Sequence, residues 1–208
     1  MTAVTRHAQA IDPESLARHF GGHEVLPLWI AEPYVDLAPT VVRALEERAH
    51  LGWYGYETRP AALFDAFWDW MADRHEWDGS GLQTLVSPSV GTSIGVLLDR
   101  WTAPGDGVLL QPPVFTDFKA TVAAGGRTVV KNPLSLRDGR YTVDVDGLAS
   151  LAAEPRTRAL ILCNPHNPVG RVWTPAELAE IAAICAHHDV FVIADEIHAD
   201  IILPPHGF

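Results

Sequence analysis

The fold is decided by the stretch ALILCNPHNPVGRVWTPAELAEIAAICAHHDVFVIADEIHAD, which covers residues 159–200. Two short apolar runs lie within it, Ala159–Cys163 and Val190–Ala194, and a helix-like segment separates them. Both runs are apolar throughout instead of alternating with polar residues, as is typical of strands that are covered on both faces. We therefore expect two central strands of a parallel sheet, joined by a helix.

The connecting helix is predicted from the signals at its start. Thr174 is suited to cap the helix, Pro175 fits the first turn, and Glu177 completes a capping box. One face of the segment is apolar and consists of Leu178, Ile181, Ala182 and Cys185. The sequence thus predicts an amphipathic helix that packs on the sheet.

The same alternation of strand and helix extends towards the N-terminus. Strand-like runs occur at Thr84–Val86, Val108–Gln111 and Arg127–Val130, and an amphipathic helix is expected from Pro60 to Trp77. This order predicts an α/β fold with a mostly parallel sheet and helices on both faces.

The N-terminal quarter differs in composition, since it is rich in Pro, Trp and Tyr between Leu26 and Tyr56. One helix is expected in it, near Pro39–His50. We interpret residues 1–56 as an N-terminal arm or small-domain segment. Residues 57–208 are interpreted as the N-terminal part of a larger domain.

Composition excludes several classes of function. The 208-residue chain carries 15 basic and 26 acidic side chains, a formal net charge of −11, and offers nucleic acid no basic stripe. No apolar run approaches the roughly 20 residues that cross a bilayer, and Met1–Pro13 lacks the pattern of a secretory signal. We expect a cytoplasmic protein with no nucleic-acid or membrane partner. The two cysteines, Cys163 and Cys185, form no CxxC pattern and are expected to be core thiols.

The strongest local motif is NPHNPVGR at 164–171, directly after a buried strand. Open α/β sheets bind their ligands at that end of a strand. Two Asn-Pro steps and a Gly predict a tight loop whose amide side chains are held in place. An ordinary turn that leads into a helix is the alternative interpretation.

A second motif, DEIHAD at 195–200, follows the other apolar strand. A carboxylate at the tip of a buried strand is costly to desolvate unless a cation meets it, and a protonated pyridine nitrogen is such a cation. A metal site formed by Asp195, His198 and Asp200 and a plain solvated strand end remain as alternatives.

Two weaker motifs follow other strand-like runs. SPSVGTS at 87–93 begins an apolar helix, whose first N–H groups can bind a phosphate monoester, although an ordinary capped helix has the same appearance. QPPVFTDF at 111–118 offers the ring of Phe115, which is either a stacking surface or a core residue. All four motifs fall at strand-to-helix junctions, where one ligand could contact them all.

In this order the four motifs resemble fold type I pyridoxal-phosphate enzymes, specifically the cystathionine β-lyase branch related to class I and II aminotransferases. Two earlier segments, LPLWIAE at 26–32 and GWYGY at 52–56, also resemble that branch. The resemblance extends from about Leu26 onwards, and Asn-Pro-His-Asn-Pro is its most specific part. It implies an aminotransferase-like large domain, incomplete in this chain, and pyridoxal 5'-phosphate as the cofactor.

The resemblance implies a role for each residue around the cofactor ring. Asp195 would pair with the pyridine nitrogen, which keeps the ring cationic. Asn167 would hydrogen-bond the 3-hydroxyl group, with His198 nearby. Phe115 would stack on the ring in a place where the family usually has Tyr.

The resemblance also implies how the phosphate is held. The backbone around Val90, Gly91 and Thr92 would bind it, and Tyr56 would reach the phosphate of the neighbouring subunit in a homodimer. No metal ligand is assigned.

The expected activity is that of a carbon–sulfur β-lyase, which acts on cystathionine or a related cysteine conjugate and gives a thiol, pyruvate and ammonia. A class I or II aminotransferase is the alternative within enzymes. Such enzymes need a Schiff-base lysine, and neither Lys119 nor Lys131 matches its position in the family. No catalytic residue is therefore assigned, and the chain is expected to be an incomplete, inactive fragment. A non-catalytic remnant or binding module is the alternative from another class.

Overall fold

A computed structural model describes residues 8–22, 24–31 and 35–204 of the chain. Glu32, the last residue of the first N-terminal motif, lies outside the described residues. The chain forms two compact units, Met1–Pro60 and Ala61–Phe208. The domain division after residue 56 stays a prediction.

The first unit contains three helical elements: a 3-10 helix at Gln9–Ile11, α1 at Pro13–Phe20 and α2 at Pro39–His50. The bounds of α2 confirm the predicted helix. Helix α1 begins where the Asp12 side chain accepts a hydrogen bond from the Ser15 N–H at 2.8 Å. It ends at Gly21, whose φ of 73° is readily adopted by glycine.

The second unit contains the sheet and its helices. In chain order its elements are α3 (Ala61–His75), α4 (Val90–Trp101), β1 (Gly107–Leu110), α5 (Thr116–Ala124), β2 (Thr128–Lys131), β3 (Ser135–Arg137), β4 (Arg140–Thr142), α6 (Val145–Ala152), β5 (Thr157–Cys163), α7 (Pro175–His187) and β6 (Phe191–Asp195). Strands β2, β1, β5 and β6 lie in that order in one sheet, and every neighbouring pair is parallel. Strands β3 and β4 form a separate antiparallel hairpin.

Apolar side chains cover both faces of the parallel sheet. The buried residues of α4 and α5 pack against one face, together with Val108, Ile161 and Ile193 of the strands. Those of α6 and α7 pack against the other, with Leu109 and Leu160. The predicted α/β class, with a mainly parallel sheet and helices on both sides, is confirmed. Within the described part of the chain, no helix is long and apolar enough to cross a membrane.

Two details of the predicted sheet are wrong. Thr84–Val86 is not a strand, because no other strand of the described residues lies beside it, and Leu85 is 89% exposed. Strand β6 was expected to be central, but it is the last of the four strands and pairs with β5 alone. Its Phe191 and Val192 are accordingly only half-buried. The interior position of β5 is confirmed.

Candidate functional site

The predicted site motifs meet at one edge of the sheet. Strands β1, β5 and β6 are parallel, so Gln111, Asn164 and Asp195 all lie at their carboxyl ends. Trp101 in the last turn of α4 stacks on Phe191 at the start of β6, with ring centroids 4.6 Å apart, so the helix ends at the amino edge of the sheet. From there it extends back over the sheet face, on which its Ile94 and Leu98 side chains pack. A helix of 12 residues is about 18 Å long, so the first turn of α4 reaches the carboxyl edge.

The first turn of α4 is capped by a side chain, and two of its backbone N–H groups still lack an intrahelical partner. The Ser89 side chain accepts a hydrogen bond from the Thr92 N–H at 3.1 Å. The N–H groups of Val90 and Gly91 precede the first intrahelical bond, so the helix supplies them with no carbonyl partner. A Cβ atom added at Gly91 would lie 4.0 Å from the nearest atom, Ser89 Oγ, so the space beside it is open. These groups, at the positive end of the helix dipole, fit a phosphate.

Phe115 lies immediately before α5 and is not a core residue. Its ring is 42% exposed and meets the buried ring of Phe118 edge-on, with centroids 5.5 Å apart. The contact holds Phe115 while it leaves much of the ring accessible. The geometry therefore favours the stacking interpretation.

The loop between β5 and α7 is fixed to both strands. The Asn164 N–H donates to the Asp195 carbonyl at 3.0 Å, and Asn164 Oδ1 accepts from the Trp173 N–H at 3.0 Å. Trp173 Nε1 donates to the Cys163 carbonyl at 3.0 Å. Asn167, at the turn of this loop, is half-buried, and its backbone N–H donates to Cys163 Sγ at 3.5 Å. The Asn167 amide is thus carried by a rigid support.

Arg171 closes the same loop. Its guanidinium donates two hydrogen bonds of 2.8 Å to the Glu177 carboxylate and one to the Tyr141 carbonyl, and it lies over the Trp173 ring. Partial burial raises the pKa of Glu177, but hydrogen bonds from Thr174 and Arg171 outweigh it, so the net pKa is lowered. The predicted capping box of Thr174 and Glu177 is confirmed.

Asp195 ends β6 as a buried carboxylate. The residue is 7% exposed, and its Oδ1 accepts a hydrogen bond from the Ile197 N–H at 3.1 Å. No Lys, Arg or His among residues 8–22, 24–31 and 35–204 forms an ion pair with it. A buried carboxylate without a counter-charge is unfavourable by itself, so this position suits a cationic ligand group.

The remaining predicted residues lie in different surroundings. His198 is half-buried just beyond Asp195, whereas Tyr56 is fully exposed in the first unit. Asp200 accepts hydrogen bonds from Trp70 Nε1 at 2.9 Å and His75 Nε2 at 2.8 Å, which lower its pKa. The described ranges contain no group of three metal-binding side chains, so the geometry gives the alternative metal site no support.

Two residues of the site were missed as such by sequence reasoning. Cys163 and His166 are both buried, as residues of a core would be, but they contact the loops that carry Asn167 and Phe115. The only available signal was their place in the sequence, Cys163 directly before Asn164 and His166 directly before Asn167. That position identifies the loop, but it does not predict the hydrogen bonds that the Cys163 and His166 side chains form.

The chain resembles known proteins over nearly its whole length. Residues 24–207 match the sequence pattern of the family described as Aminotransferase class I and II. Cystathionine beta-lyase PatB of Bacillus subtilis is 36% identical over 198 residues, which are 95% of this chain and 51% of that protein. The chain thus spans about half the length of the curated relatives it matches.

Solved structures agree with this similarity. Cystalysin from Treponema denticola, which contains a pyridoxal 5'-phosphate cofactor, has a TM-score of 0.82 and 33% identity over 89% of this chain and 47% of its own. The PLP-bound C-S lyase from Staphylococcus hominis has a TM-score of 0.85 and 26% identity, and the match covers 99% of this chain and 55% of that one.

Proposed function

Because this chain belongs to the class I and II aminotransferase family, we propose that it carries the cofactor-binding residues of a pyridoxal-phosphate-dependent carbon–sulfur β-lyase. The substrate would be L-cystathionine or a related cysteine conjugate, and the products a thiol, pyruvate and ammonia. The names of the relatives support this reaction. The observation that carries the proposal is the Asp195 carboxylate, buried without a counter-charge at the edge where the other site residues meet.

Three side chains of this chain would hold the cofactor ring. When bound, pyridoxal phosphate supplies a cationic pyridine ring that withdraws electrons from the substrate α-carbon. The Asp195 carboxylate would hold the proton on the pyridine nitrogen, and burial strengthens that charge interaction. The Phe115 ring would cover one face, and the Asn167 amide would hydrogen-bond the 3-hydroxyl group. His198 would lie beside this contact.

Helix α4 would hold the phosphate. The N–H groups of Val90 and Gly91 and the hydroxyl group of Thr92 lie in its first turn, where the helix dipole favours an anion. In a homodimer, Tyr56 would reach the phosphate bound by the partner subunit. The exposed ring of Tyr56 is compatible with that role.

An aminotransferase is the second candidate, since the matching family is named for that activity. Both reactions begin with loss of the substrate α-proton and use the same contacts to the cofactor ring. They differ in their requirements, because transamination consumes an oxo acid and β-elimination does not. The geometry of the described residues is the same for both.

Cofactor binding is tested with pyridoxamine 5'-phosphate and isothermal titration calorimetry on the 208-residue chain. This probe has no aldehyde, so it cannot react with Lys119 or Lys131, which are both exposed. Asp195→Asn should weaken binding about ten- to a hundredfold, the effect of losing a charged hydrogen bond. Asp189→Asn, at the exposed opposite end of β6, is the matched control and should bind as the unmodified chain does. Equal binding by all three proteins would contradict the assigned role of Asp195.

The reaction is tested by adding pyridoxal phosphate, L-cystathionine and a small primary amine, which can carry the proton in place of a lysine. Pyruvate and thiol formed without an oxo acid, and lost in Asp195→Asn, would support the lyase. Glutamate formed only with 2-oxoglutarate would support the aminotransferase. Binding of the probe without either product would support the binding module.

A further inference from the structure

His166 joins the two loops that carry the ring-binding residues. The residue is 1% exposed, and its Nε2 lies 3.0 Å from the Pro113 carbonyl oxygen. Pro113 comes two residues before Phe115, and His166 comes directly before Asn167. One side-chain hydrogen bond therefore fixes the backbone beside Phe115 to the backbone beside Asn167.

Each of the two loops is also anchored from its other side. The Pro112 carbonyl accepts a hydrogen bond from the Leu134 N–H at 2.7 Å. The His166 N–H donates to the Arg171 carbonyl at 2.7 Å, and the His166 carbonyl accepts from the Gly170 N–H at 2.8 Å. The hydrogen bond from the His166 ring thus connects two loops that are themselves held in place.

The surroundings of the ring determine its protonation. A carbonyl oxygen only accepts hydrogen bonds, so Nε2 carries the hydrogen. Burial is the largest effect on the pKa of His166 and lowers it. The hydrogen bond to the Pro113 carbonyl and other nearby backbone groups raise the pKa, but by less, and the positive charge of Arg171 lowers it further. The imidazole is therefore neutral near pH 7. Its ring meets Trp173 edge-on, with centroids 5.4 Å apart, so it cannot easily turn away.

We propose that His166 is a positioning residue, which sets the distance between the stacking ring of Phe115 and the amide of Asn167 through its Nε2–H bond to the Pro113 carbonyl. The inference rests on the proposed function, since it concerns the same cofactor-binding residues. His166 itself neither contacts the cofactor nor transfers a proton. A histidine that only filled the core would need no donor at Nε2, and this difference can be measured.

Two substitutions distinguish the effect of the hydrogen-bond donor at Nε2 from the effect of the size of the side chain. His166→Phe keeps an aromatic ring beside Trp173 but leaves the Pro113 carbonyl without its donor. His166→Gln can place an amide N–H near the position of Nε2. We expect His166→Phe to weaken binding of pyridoxamine 5'-phosphate about two- to tenfold, the effect of one neutral hydrogen bond, and His166→Gln to restore most of the affinity. Calorimetry is carried out well below the unfolding midpoint of each variant, so that only folded protein is compared.

The same His166→Phe substitution, made in a variant chain that lacks the two positioned side chains, identifies the groups through which His166 acts. In a chain that carries both Phe115→Leu and Asn167→Ala, the residues that His166 positions are absent. His166→Phe should then change the affinity less than twofold, because interacting sites are not additive. An equal fold-change in both backgrounds, or failure of His166→Gln to restore affinity while its unfolding midpoint is normal, would overturn the inference.

Failure of this inference is distinguishable from failure of the proposed function. If the unmodified chain binds the probe and Asp195→Asn weakens binding, the proposed function stands whatever His166→Phe does. Unchanged binding by His166→Phe would then overturn the positioning role alone. If Asp195→Asn has no effect, the proposed function itself fails, and with it the basis of the inference.

Discussion

Cys163 and Asp195 lie opposite each other at the carboxyl ends of β5 and β6. Burial raises the pKa of the Cys163 thiol, and the negative charge of Asp195 raises it further, against the effect of the Asn167 N–H. The buried Asp195 carboxylate thus exerts an electrostatic effect on the neighbouring Cys163 thiol, with little water to screen it. The same property makes Asp195 suitable to hold a cationic ring nitrogen.

Both cysteines should resist alkylation in the folded chain. Burial raises the pKa of Cys185 to about 11 and also raises that of Cys163, so neither is a thiolate at neutral pH. We expect iodoacetamide to label both slowly without denaturant and rapidly in urea, as followed by mass spectrometry. Asp195→Asn should accelerate labelling of Cys163 and leave Cys185 unchanged. Rapid labelling of either cysteine in the native chain would contradict the burial described above.

Arg171→Lys should destabilise the chain by about 1–3 kcal/mol. One guanidinium nitrogen, Nη2, donates to both Glu177 carboxylate oxygens, and the other, Nη1, donates to the Tyr141 carbonyl. The single nitrogen of a lysine ammonium group cannot occupy both positions. The measurement is the free energy of unfolding in urea. Arg158→Lys is the control, since Arg158 is half-exposed and lies 3.9 Å from the exposed Asp189 carboxylate. Equal stabilities of the two variants would show that the Arg171 contacts contribute little.

Reduction of the pyridoxal-phosphate adduct with borohydride should reveal no specific site among the lysines. Lys119 and Lys131 are both exposed, and no lysine other than these occurs in the chain. We expect the adduct trapped on the two lysines to rise in proportion to cofactor concentration without saturation. In the Lys119→Arg, Lys131→Arg double variant, only the adduct on the α-amino group of the chain should remain. Saturable labelling of one lysine, lost in Asp195→Asn, would instead place that lysine in the site.

Sequence patterns correctly predicted those helices and strands that are determined by contacts between residues close together in the chain. The capping box of Thr174 and Glu177 and the apolar face of α7 are set within a few turns of chain, and α7 begins at Pro175 as expected. The edge position of β6 and the absence of a strand at Thr84–Val86 depend instead on which strands lie beside them. Neighbours in a sheet are distant in sequence, so the pattern of single segments could not predict them.

The candidate site was also predictable where it depends on local sequence and not where it depends on long-range contacts. Its location was predictable, because parallel strands bring their carboxyl ends to one edge. The hydrogen bond between His166 and Pro113 was not, since it joins residues 53 apart in sequence. Arg127 is a similar case. The strand expected from Arg127 begins at Thr128, and the buried Arg127 guanidinium donates to the Leu98 and Thr102 carbonyls at the end of α4, which the sequence did not predict. Polar side chains in such contacts resemble ordinary surface residues when only the sequence is considered.

The stability of the chain should fall as the pH decreases from about 7.5 to 5, and His166 should account for part of the loss. Burial lowers the pKa of His166 below its ordinary 6.5, so the unfolded chain binds the proton more readily than the folded one. This contribution to stability is complete above about pH 7.5, declines below the unfolded pKa, and is lost as the pH reaches the folded pKa.

His166→Gln removes this titration and is the matched control. Its free energy of unfolding in urea should fall less than that of the unmodified chain over the same range, by up to about 1.4 kcal/mol for each unit of the pKa shift. Glu177, whose pKa is lowered, and Glu196, whose pKa burial raises, are present in both proteins and cancel in the difference. Identical pH dependence of the two proteins would mean that His166 is as easily protonated in the folded chain as in the unfolded one. That result would contradict the buried, neutral imidazole described above.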